Sequence, residues 1–144
     1  MNSLVLKARQ LAEKAHAGQF RNDGKPYFTH VEAVAQIAKD LARKQEYESI
    51  DYVEIISLLH DTVEDSDINI ELIYQEFGLI VSDAVFVLTK IKDNNWNYVK
   101  YLQRIKNNIL AKIVKIADLT HNLSDLKPGN LRDKYELSKW FLEN

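Results

Sequence analysis

The sequence of 144 residues contains no cysteine, only two prolines and only four glycines. Without cysteine the chain forms neither disulfides nor zinc–thiolate sites, and it has no thiol nucleophile. Because residues that break helices are so few, helices joined by short turns are favoured over a chain rich in loops. The absence of cysteine also fits a reducing compartment, so we expect a cytoplasmic protein.

A strong net charge is also missing, because 19 basic and 21 acidic residues leave a formal net charge of −2. No global positive field draws this chain to nucleic acid or to a membrane surface, and we expect neither as a partner. Lys7 and Arg9 interrupt the apolar residues of the N-terminal segment. That segment therefore has the pattern of neither a signal peptide nor a membrane span.

Apolar residues recur at helical spacing through most of the chain, and this periodicity predicts an all-α fold. The stretch 79–91 is ambiguous, because its apolar residues 85–88 would also suit a strand. We predict a helix there, since no second strand is available to pair with it. An Asp-Gly pair and a proline predict a loop over residues 18–28. We therefore expect one compact domain, residues 1–144, built from about seven or eight helices.

The residues from Thr29 to Glu32 match a capping box, in which a threonine begins a helix and a glutamate three residues later reaches back to it. This interpretation places His30 at the first position of a helix. The positive end of the helix dipole disfavours a protonated imidazole, so His30 would stay neutral and available as a ligand. Taken alone, His30 is better explained as a histidine near a helix cap with no ligand role.

The next predicted helix, from about 51 to 63, ends in a crowd of acidic residues. These are Asp61, Glu64, Asp65 and Asp67. His60 and Asp61 directly follow two leucines, and two of the acids come four residues later, so these groups share one side of the helix end. The helix dipole and like charges at this spacing both disfavour such a cluster. A bound divalent cation would remove both penalties, which favours a metal site over a solvated acidic helix end.

A second unusual carboxylate is Asp118, within the segment KIADLTHNL at residues 115–123. It lies among apolar positions of a predicted helix, where a carboxylate is costly unless it is paired or bound to metal. A buried salt bridge explains Asp118 equally well on its own. Two imidazoles and two carboxylates together suit Mn²⁺, Fe²⁺ or Zn²⁺. The sequence offers one such set, formed by His30, His60, Asp61 and Asp118.

Other polar residues near these motifs have simpler explanations. Arg21 and Lys25 lie in the predicted loop, where they either bind phosphate or remain solvated, and for Lys25 the solvated state is preferred. Lys90 and Lys115 are expected to be solvated. His16 lies beside apolar positions of the helix predicted over residues 4–15, so we expect it to pack in the core or behind the site.

The order His, His-Asp, Asp resembles the signature of the HD phosphohydrolase superfamily. Four ordered segments are also similar to the hydrolase domain of the Rel/SpoT alarmone enzymes and to the small alarmone hydrolases: residues 21–30, 58–67, 88–90 and 115–123. This resemblance implies a compact helical bundle of the HD type. It also implies a Mn²⁺-dependent enzyme that removes the 3′-pyrophosphate from a small nucleotide substrate, (p)ppGpp.

The resemblance further implies roles for individual residues. The implied metal ligands are His30, His60, Asp61 and Asp118. Glu64 and Asp65 match the acidic pair that orients and activates water. Arg21 matches a basic residue near the substrate phosphates, and Asn122 matches an amide that lines the site.

Departures from the family pattern leave two alternatives open. Asn22 stands where the family usually has a lysine, and Ser124 and Asp125 stand where an arginine is common. One alternative is the same chemistry on another nucleotide, a monophosphate or a triphosphate. The other is a catalytically inactive module that binds the alarmone.

Overall fold

The computed structural model describes residues 2–144, which fold into helices joined by short loops. Nine helices occur in that range: α1 (Asn2–Ala15), α2 (Tyr27–Lys44), α3 (Ile50–Leu59), α4 (Thr62–Asp65), α5 (Ile70–Phe77), α6 (Leu79–Leu88), α7 (Tyr98–Lys106), α8 (Ile109–Leu123) and α9 (Asn130–Glu143). The described chain has no β-strand, which confirms the all-α prediction. All of the helices except the single turn α4 are at least eight residues long. None of the described helices has the length and apolar content needed to cross a membrane.

Helix α3 lies at the centre of the bundle, where it packs against α1, α2, α6 and α8. Its sequence, IDYVEIISLL, is apolar around most of its circumference, as expected of a helix surrounded by others. Helices α2 and α8 pack on α3 and also on each other. Each of the three helices therefore contacts the other two, and the polar residues that they contribute to this junction lie close together.

The ambiguous stretch 79–91 contains a helix, α6, as predicted. The chain enters this helix through Gly78, whose φ of +87° lies in the left-handed region that residues with a Cβ rarely adopt. The same glycine ends α5, which begins with the side chain of Asn69 accepting a hydrogen bond from the Leu72 N–H.

The start of α2 differs from the capping-box interpretation. The helix begins at Tyr27, directly after Pro26, so Thr29 lies inside its first turn. The Thr29 hydroxyl donates a hydrogen bond to the Pro26 carbonyl at 2.7 Å instead of accepting one from a helix N–H. His30 is consequently the fourth residue of α2, where the helix dipole contributes less to keeping its imidazole neutral.

The predicted helix over 51–63 is also interrupted, because α3 ends at Leu59 and a separate turn, α4, follows. Two side chains in this segment hydrogen-bond to carbonyls three residues earlier. His60 Nδ1 lies 2.6 Å from the Ser57 oxygen, and the Thr62 hydroxyl donates to the Leu59 oxygen at 2.8 Å. Such bonds compete with the backbone N–H groups that would continue the helix. His60 and Asp61 therefore lie at a break between two helices.

The central position of α3 predicts a large effect of truncating its side chains. Leu58 is fully buried there, whereas Leu137 on α9 is 68% exposed. Leu58→Ala should lower the free energy of unfolding by about 2–5 kcal/mol, through lost burial and a residual cavity. Leu137→Ala, the matched control, should change it by less than about 0.5 kcal/mol. Urea unfolding in the presence of a chelator measures both, and equal losses would contradict this packing.

Candidate metal centre

The four residues that the sequence singled out as metal ligands converge in space. The nitrogen and oxygen atoms that they offer all lie within 4.8 Å of one another, in the group His30, His60, Asp61 and Asp118. His30 comes from α2, Asp118 comes from α8, and the adjacent pair comes from the break between α3 and α4. His30 Nε2 lies 2.8 Å from Asp118 Oδ1, and His60 Nε2 lies 3.0 Å from Asp61 Oδ2.

The hydrogen bonding of His60 shows that this group fits a divalent metal ion. A carbonyl oxygen only accepts hydrogen bonds, so the contact with Ser57 places a proton on His60 Nδ1. The other nitrogen, Nε2, is buried and has no hydrogen-bond partner among residues 2–144. In a neutral imidazole its lone pair would face the Asp61 carboxylate, and the two would repel. A cation between them removes that repulsion, as in other mixed imidazole and carboxylate sites.

A proton would relieve the same repulsion. Burial disfavours the imidazolium, but the carboxylates of Asp61 and Asp118 outweigh burial and raise the pKa of His60 well above its usual value. A metal ion and a proton therefore compete for the same nitrogen, so metal affinity should depend on pH.

His30 is oriented by a second histidine, whose role the sequence did not reveal. His30 Nδ1 lies 2.7 Å from His121 Nδ1, and one of these nitrogens must donate the hydrogen bond. Burial, followed by the charges of His30 and Arg21, lowers the pKa of His121. A neutral His121 can accept a hydrogen bond from the His30 Nδ1–H, and the lone pair of His30 Nε2 is then available to a metal. The spacing was a usable signal, because His121 follows Asp118 by three residues on α8.

Asp118 is held in the core by residues of its own helix. Lys115 Nζ donates to Asp118 Oδ2 at 3.1 Å, and Asn122 Nδ2 lies 3.4 Å from Asp118 Oδ1. Burial alone would raise the pKa of Asp118, but Lys115 and the two neighbouring histidines hold it well below its usual value. The expectation that Lys115 is solvated was therefore wrong, since only 7% of it is exposed. Its spacing of three residues from Asp118 places both groups on one helix face.

Asp61 is held by a tyrosine that the sequence did not single out. The Tyr27 hydroxyl, on the first residue of α2, donates a hydrogen bond to Asp61 Oδ2. Burial would raise the pKa of Asp61, but His60 and this hydrogen bond lower it to about 2. Asp61 is therefore ionised at neutral pH, as a metal-binding carboxylate must be.

Glu64 and Asp65 lie on the single turn α4, beside the four clustered residues. The backbone N–H of Lys90 donates to Glu64 Oε1, which fixes one carboxylate oxygen. Burial raises the pKa of Glu64 despite this bond, and burial and the charge of Asp61 raise the pKa of Asp65. A carboxylate with a raised pKa is a stronger base, which suits it to accepting a proton from water.

A cavity of about 320 Å³ brings these groups together. Its lining includes His60, Asp61 and Asp118 of the clustered group, the acids Glu64 and Asp65, and the lysines Lys90 and Lys115. Burial, followed by the charge of Lys115, lowers the pKa of Lys90, so Lys90 is not the fully solvated lysine that we expected. The cavity therefore combines a cluster that fits a metal ion, two bases and two cations.

A second cavity of about 350 Å³ adjoins the first, since Tyr27, Asn122 and Tyr135 line both. Arg21 lines the second cavity and donates a hydrogen bond to Asn122 Oδ1 at 3.1 Å. The structure thus places Asn122 at the boundary between the cavities, and Arg21 beyond it. Lys25 is exposed and lines neither cavity.

Comparison with curated proteins finds relatives with much longer chains. The chain is 36% identical over 131 residues to the guanosine-3′,5′-bis(diphosphate) 3′-pyrophosphohydrolase of Haemophilus influenzae, covering 85% of this chain and 18% of the relative. It is 33% identical over 135 residues to the bifunctional (p)ppGpp synthase/hydrolase SpoT of Escherichia coli, covering 88% of this chain and 18% of that protein. The chain therefore spans less than a fifth of the length of these relatives.

A solved structure shares the arrangement of helices. It is described as a metazoan ortholog of SpoT that hydrolyzes ppGpp, and it matches with a TM-score of 0.74 at 24% identity. The match covers 96% of this chain and 83% of the other, so the two have the same fold. Residues 8–139, most of the sequence, match the family described as the HD domain. This chain belongs to the HD-domain family.

Proposed function

We propose that this chain hydrolyses the 3′-pyrophosphate of (p)ppGpp, with Mn²⁺ as its cofactor. The observation that carries the proposal is one cavity in which part of a group that fits a metal ion lies beside two carboxylates and two lysines. The activities for which the relatives and the structural neighbour are named point to this nucleotide. We further propose that residues 1–144 work as a single domain of the HD type, in the cytoplasm.

The proposed ligands are His30, His60, Asp61 and Asp118. A divalent cation held there would polarise a phosphoryl oxygen and would make a nearby water more acidic. Nitrogen and carboxylate ligands are compatible with Mn²⁺. Because two carboxylates balance the charge of a dication, the centre does not repel a substrate that carries several phosphates.

The proposed bases are Glu64 and Asp65, which orient the attacking water and take up its proton. Their raised pKa values favour this role, and the Lys90 N–H holds Glu64 in place. The reaction converts ppGpp and water into GDP and pyrophosphate. The carboxylates proposed to bind the metal and those proposed to accept protons thus line one cavity but have different surroundings.

The cations near the site occur in two places, which fits a nucleotide with phosphates at two positions of its ribose. Lys90 and Lys115 line the cavity of the proposed metal centre, whereas Arg21 lines the adjoining one. Arginine binds phosphate through two parallel hydrogen bonds, and lysine acts as a point charge. A nucleoside monophosphate would engage only one of these places. The distribution of charge therefore favours the alarmone over a monophosphate.

The adjoining cavity also offers acceptors that suit guanine. Phe20, Asp23 and Asp125 line it, and the Asp125 carboxylate makes no hydrogen bond to another described residue. A carboxylate only accepts hydrogen bonds when it is ionised. Guanine presents the donors N1–H and N2–H₂ along one edge, whereas adenine has an unprotonated N1 there. We propose that the base lies in this cavity.

The proposed metal ligands can be tested without turnover. A double variant, His60→Ala with Asp61→Ala, should lose its bound Mn²⁺, because two of the four ligands are gone. Asp83→Ala, which removes an exposed carboxylate of α6, is the control and should keep the metal. Elemental analysis after equal loading and dialysis measures the metal content. Full retention of Mn²⁺ by the double variant would show that the ion is held elsewhere.

The acidic pair predicts a loss of rate without a loss of metal. Glu64→Gln and Asp65→Asn should each lower kcat by about 10²–10⁴-fold, the usual contribution of a positioned general base. The matched control is Asp67→Asn, two residues further on, whose carboxylate is exposed. Its kcat should match that of the unaltered chain. Steady-state kinetics with Mn²⁺ measure kcat for each variant. An unchanged kcat in both Glu64→Gln and Asp65→Asn would show that another group takes up the proton of the attacking water.

The substrate is tested by product analysis with Mn²⁺ and equal concentrations of ppGpp, GTP, dNTPs and nucleoside monophosphates. We expect ppGpp to be consumed fastest and to yield GDP and pyrophosphate. Release of inorganic phosphate from a monophosphate, with ppGpp left intact, would refute the alarmone as substrate. It would still support a phosphohydrolase activity of the chain. Tight binding of ppGpp with no product from any nucleotide would instead identify an inactive binding module.

A further inference from the structure

A third buried histidine lies near the proposed metal centre but outside its ligand group. His16, directly after α1, is 3% exposed, and its ring packs against Tyr27 with ring centroids 4.8 Å apart. Its Nδ1 lies 2.8 Å from Gln19 Oε1, and its buried Nε2 has no hydrogen-bond partner in the described chain. A leucine would fill this space without burying an unpartnered polar atom. The hydrogen bond made by Nδ1 is therefore the distinctive contribution of the histidine.

Gln19 extends this hydrogen bond to the acidic turn α4. Its amide nitrogen donates to the backbone oxygen of Asp65 at 2.7 Å and to that of Ala15 at 3.3 Å. Both partners are carbonyl oxygens, which only accept, so the NH₂ group faces them and Oε1 faces His16. His16 Nδ1 must then be the donor. The result is a continuous series of hydrogen bonds from His16 through Gln19 to Asp65.

Helix α4 needs such support, because a helix of four residues is too short to be stable by itself. Its main packing neighbour is α1, the helix that His16 and Gln19 directly follow. Gln19 holds the carbonyl of Asp65, the last residue of the turn. At the other end, the Tyr27 ring that rests on His16 carries the hydroxyl that donates to Asp61.

We propose that His16 and Gln19 are positioning residues, which hold the acidic turn so that the Asp65 carboxylate keeps its place beside the proposed metal centre. The proposal rests on the proposed function, because the position of Asp65 affects a rate only if the chain is a hydrolase. Neither residue lines the cavity of that centre. They therefore act through Asp65 and Tyr27 and do not contact the substrate themselves.

Gln19→Met tests the proposal, because methionine keeps the length of the side chain and removes its donors. Gln19 is only partly buried, so this variant should fold. We expect kcat to fall about tenfold or more, since small misplacements of a reacting group reduce rates strongly. KM and Mn²⁺ content should not change. Amide hydrogen exchange over residues 62–66 should become faster. The matched control, Gln36→Met on the exposed face of α2, should alter none of these quantities.

Variants of His16 distinguish the contributions of its two ring nitrogens. The amide nitrogen of asparagine occupies nearly the position of Nδ1, whereas the longer side chain of glutamine reaches that of Nε2. His16→Asn should therefore keep most of kcat, while His16→Gln and His16→Leu should lose it. The double variant His16→Leu with Gln19→Met should be no slower than Gln19→Met alone, because both substitutions break the same series of hydrogen bonds.

Three outcomes would overturn the proposal. The first is an unchanged kcat in Gln19→Met. This outcome counts even if hydrogen exchange becomes faster, because support of the turn would then not affect the reaction. The second is equal damage by His16→Asn and His16→Leu. The third is unchanged exchange over residues 62–66. Failure of the unaltered chain to hydrolyse ppGpp would refute the proposed function. Hydrogen exchange would then still test whether Gln19 holds the turn.

Discussion

A carboxylate buried where three helices meet determines the arrangement around it. Asp118 lies on α8 where that helix packs against α2 and α3, and an uncompensated charge there would be strongly destabilising. Lys115 and Asn122 contact it from its own helix, His30 contacts it from α2, and His60 approaches it from the end of α3. Because these partners come from separate helices, compensating the charge of Asp118 also fixes how the helices face one another.

The surroundings of this carboxylate divide the acids of one cavity into two kinds. Asp118 is buried and Asp61 is partly buried, and both contact cationic or donating groups, so their pKa values are lowered despite burial. Glu64 and Asp65 lie on the rim, where burial and neighbouring negative charge raise their pKa values. Two carboxylates therefore release their protons more readily than usual, whereas two others bind protons more readily. Position relative to Lys115 and the histidines makes the difference.

The sequence predicted those parts of the structure in which a residue conflicts with its local pattern. His60, Asp61 and Asp118 all interrupt apolar stripes, and the structure brings them together with His30. The helical periodicity was equally informative, even for the apolar stretch that became α6. Such signals are local, so one sequence is enough to show them. The binding role of these residues remains a prediction that metal analysis decides.

The remaining features depend on contacts that no local pattern encodes. Pro26 determines where α2 begins, although Thr29 matched a capping box. The break after Leu59 comes from side chains that bond to backbone carbonyls, and periodicity does not show such bonds. Tyr27 reaches Asp61 across 34 residues of sequence, so its role appears only when the helices are packed. Lys115 is different, because its spacing from Asp118 already indicated a pair.

The proposed ligands are far apart along the chain, since 88 residues separate His30 from Asp118. Joining them closes a long loop, and the entropy of that closure is offset only when the core has formed. A chain in the course of folding would therefore present the adjacent pair His60 and Asp61 before the complete group of four has formed. If the group binds an ion as proposed, Asp118 joins it only when α8 docks onto α2, and loss of that docking would weaken the binding. Metal content would then record whether a molecule has completed its folding, independently of any substrate.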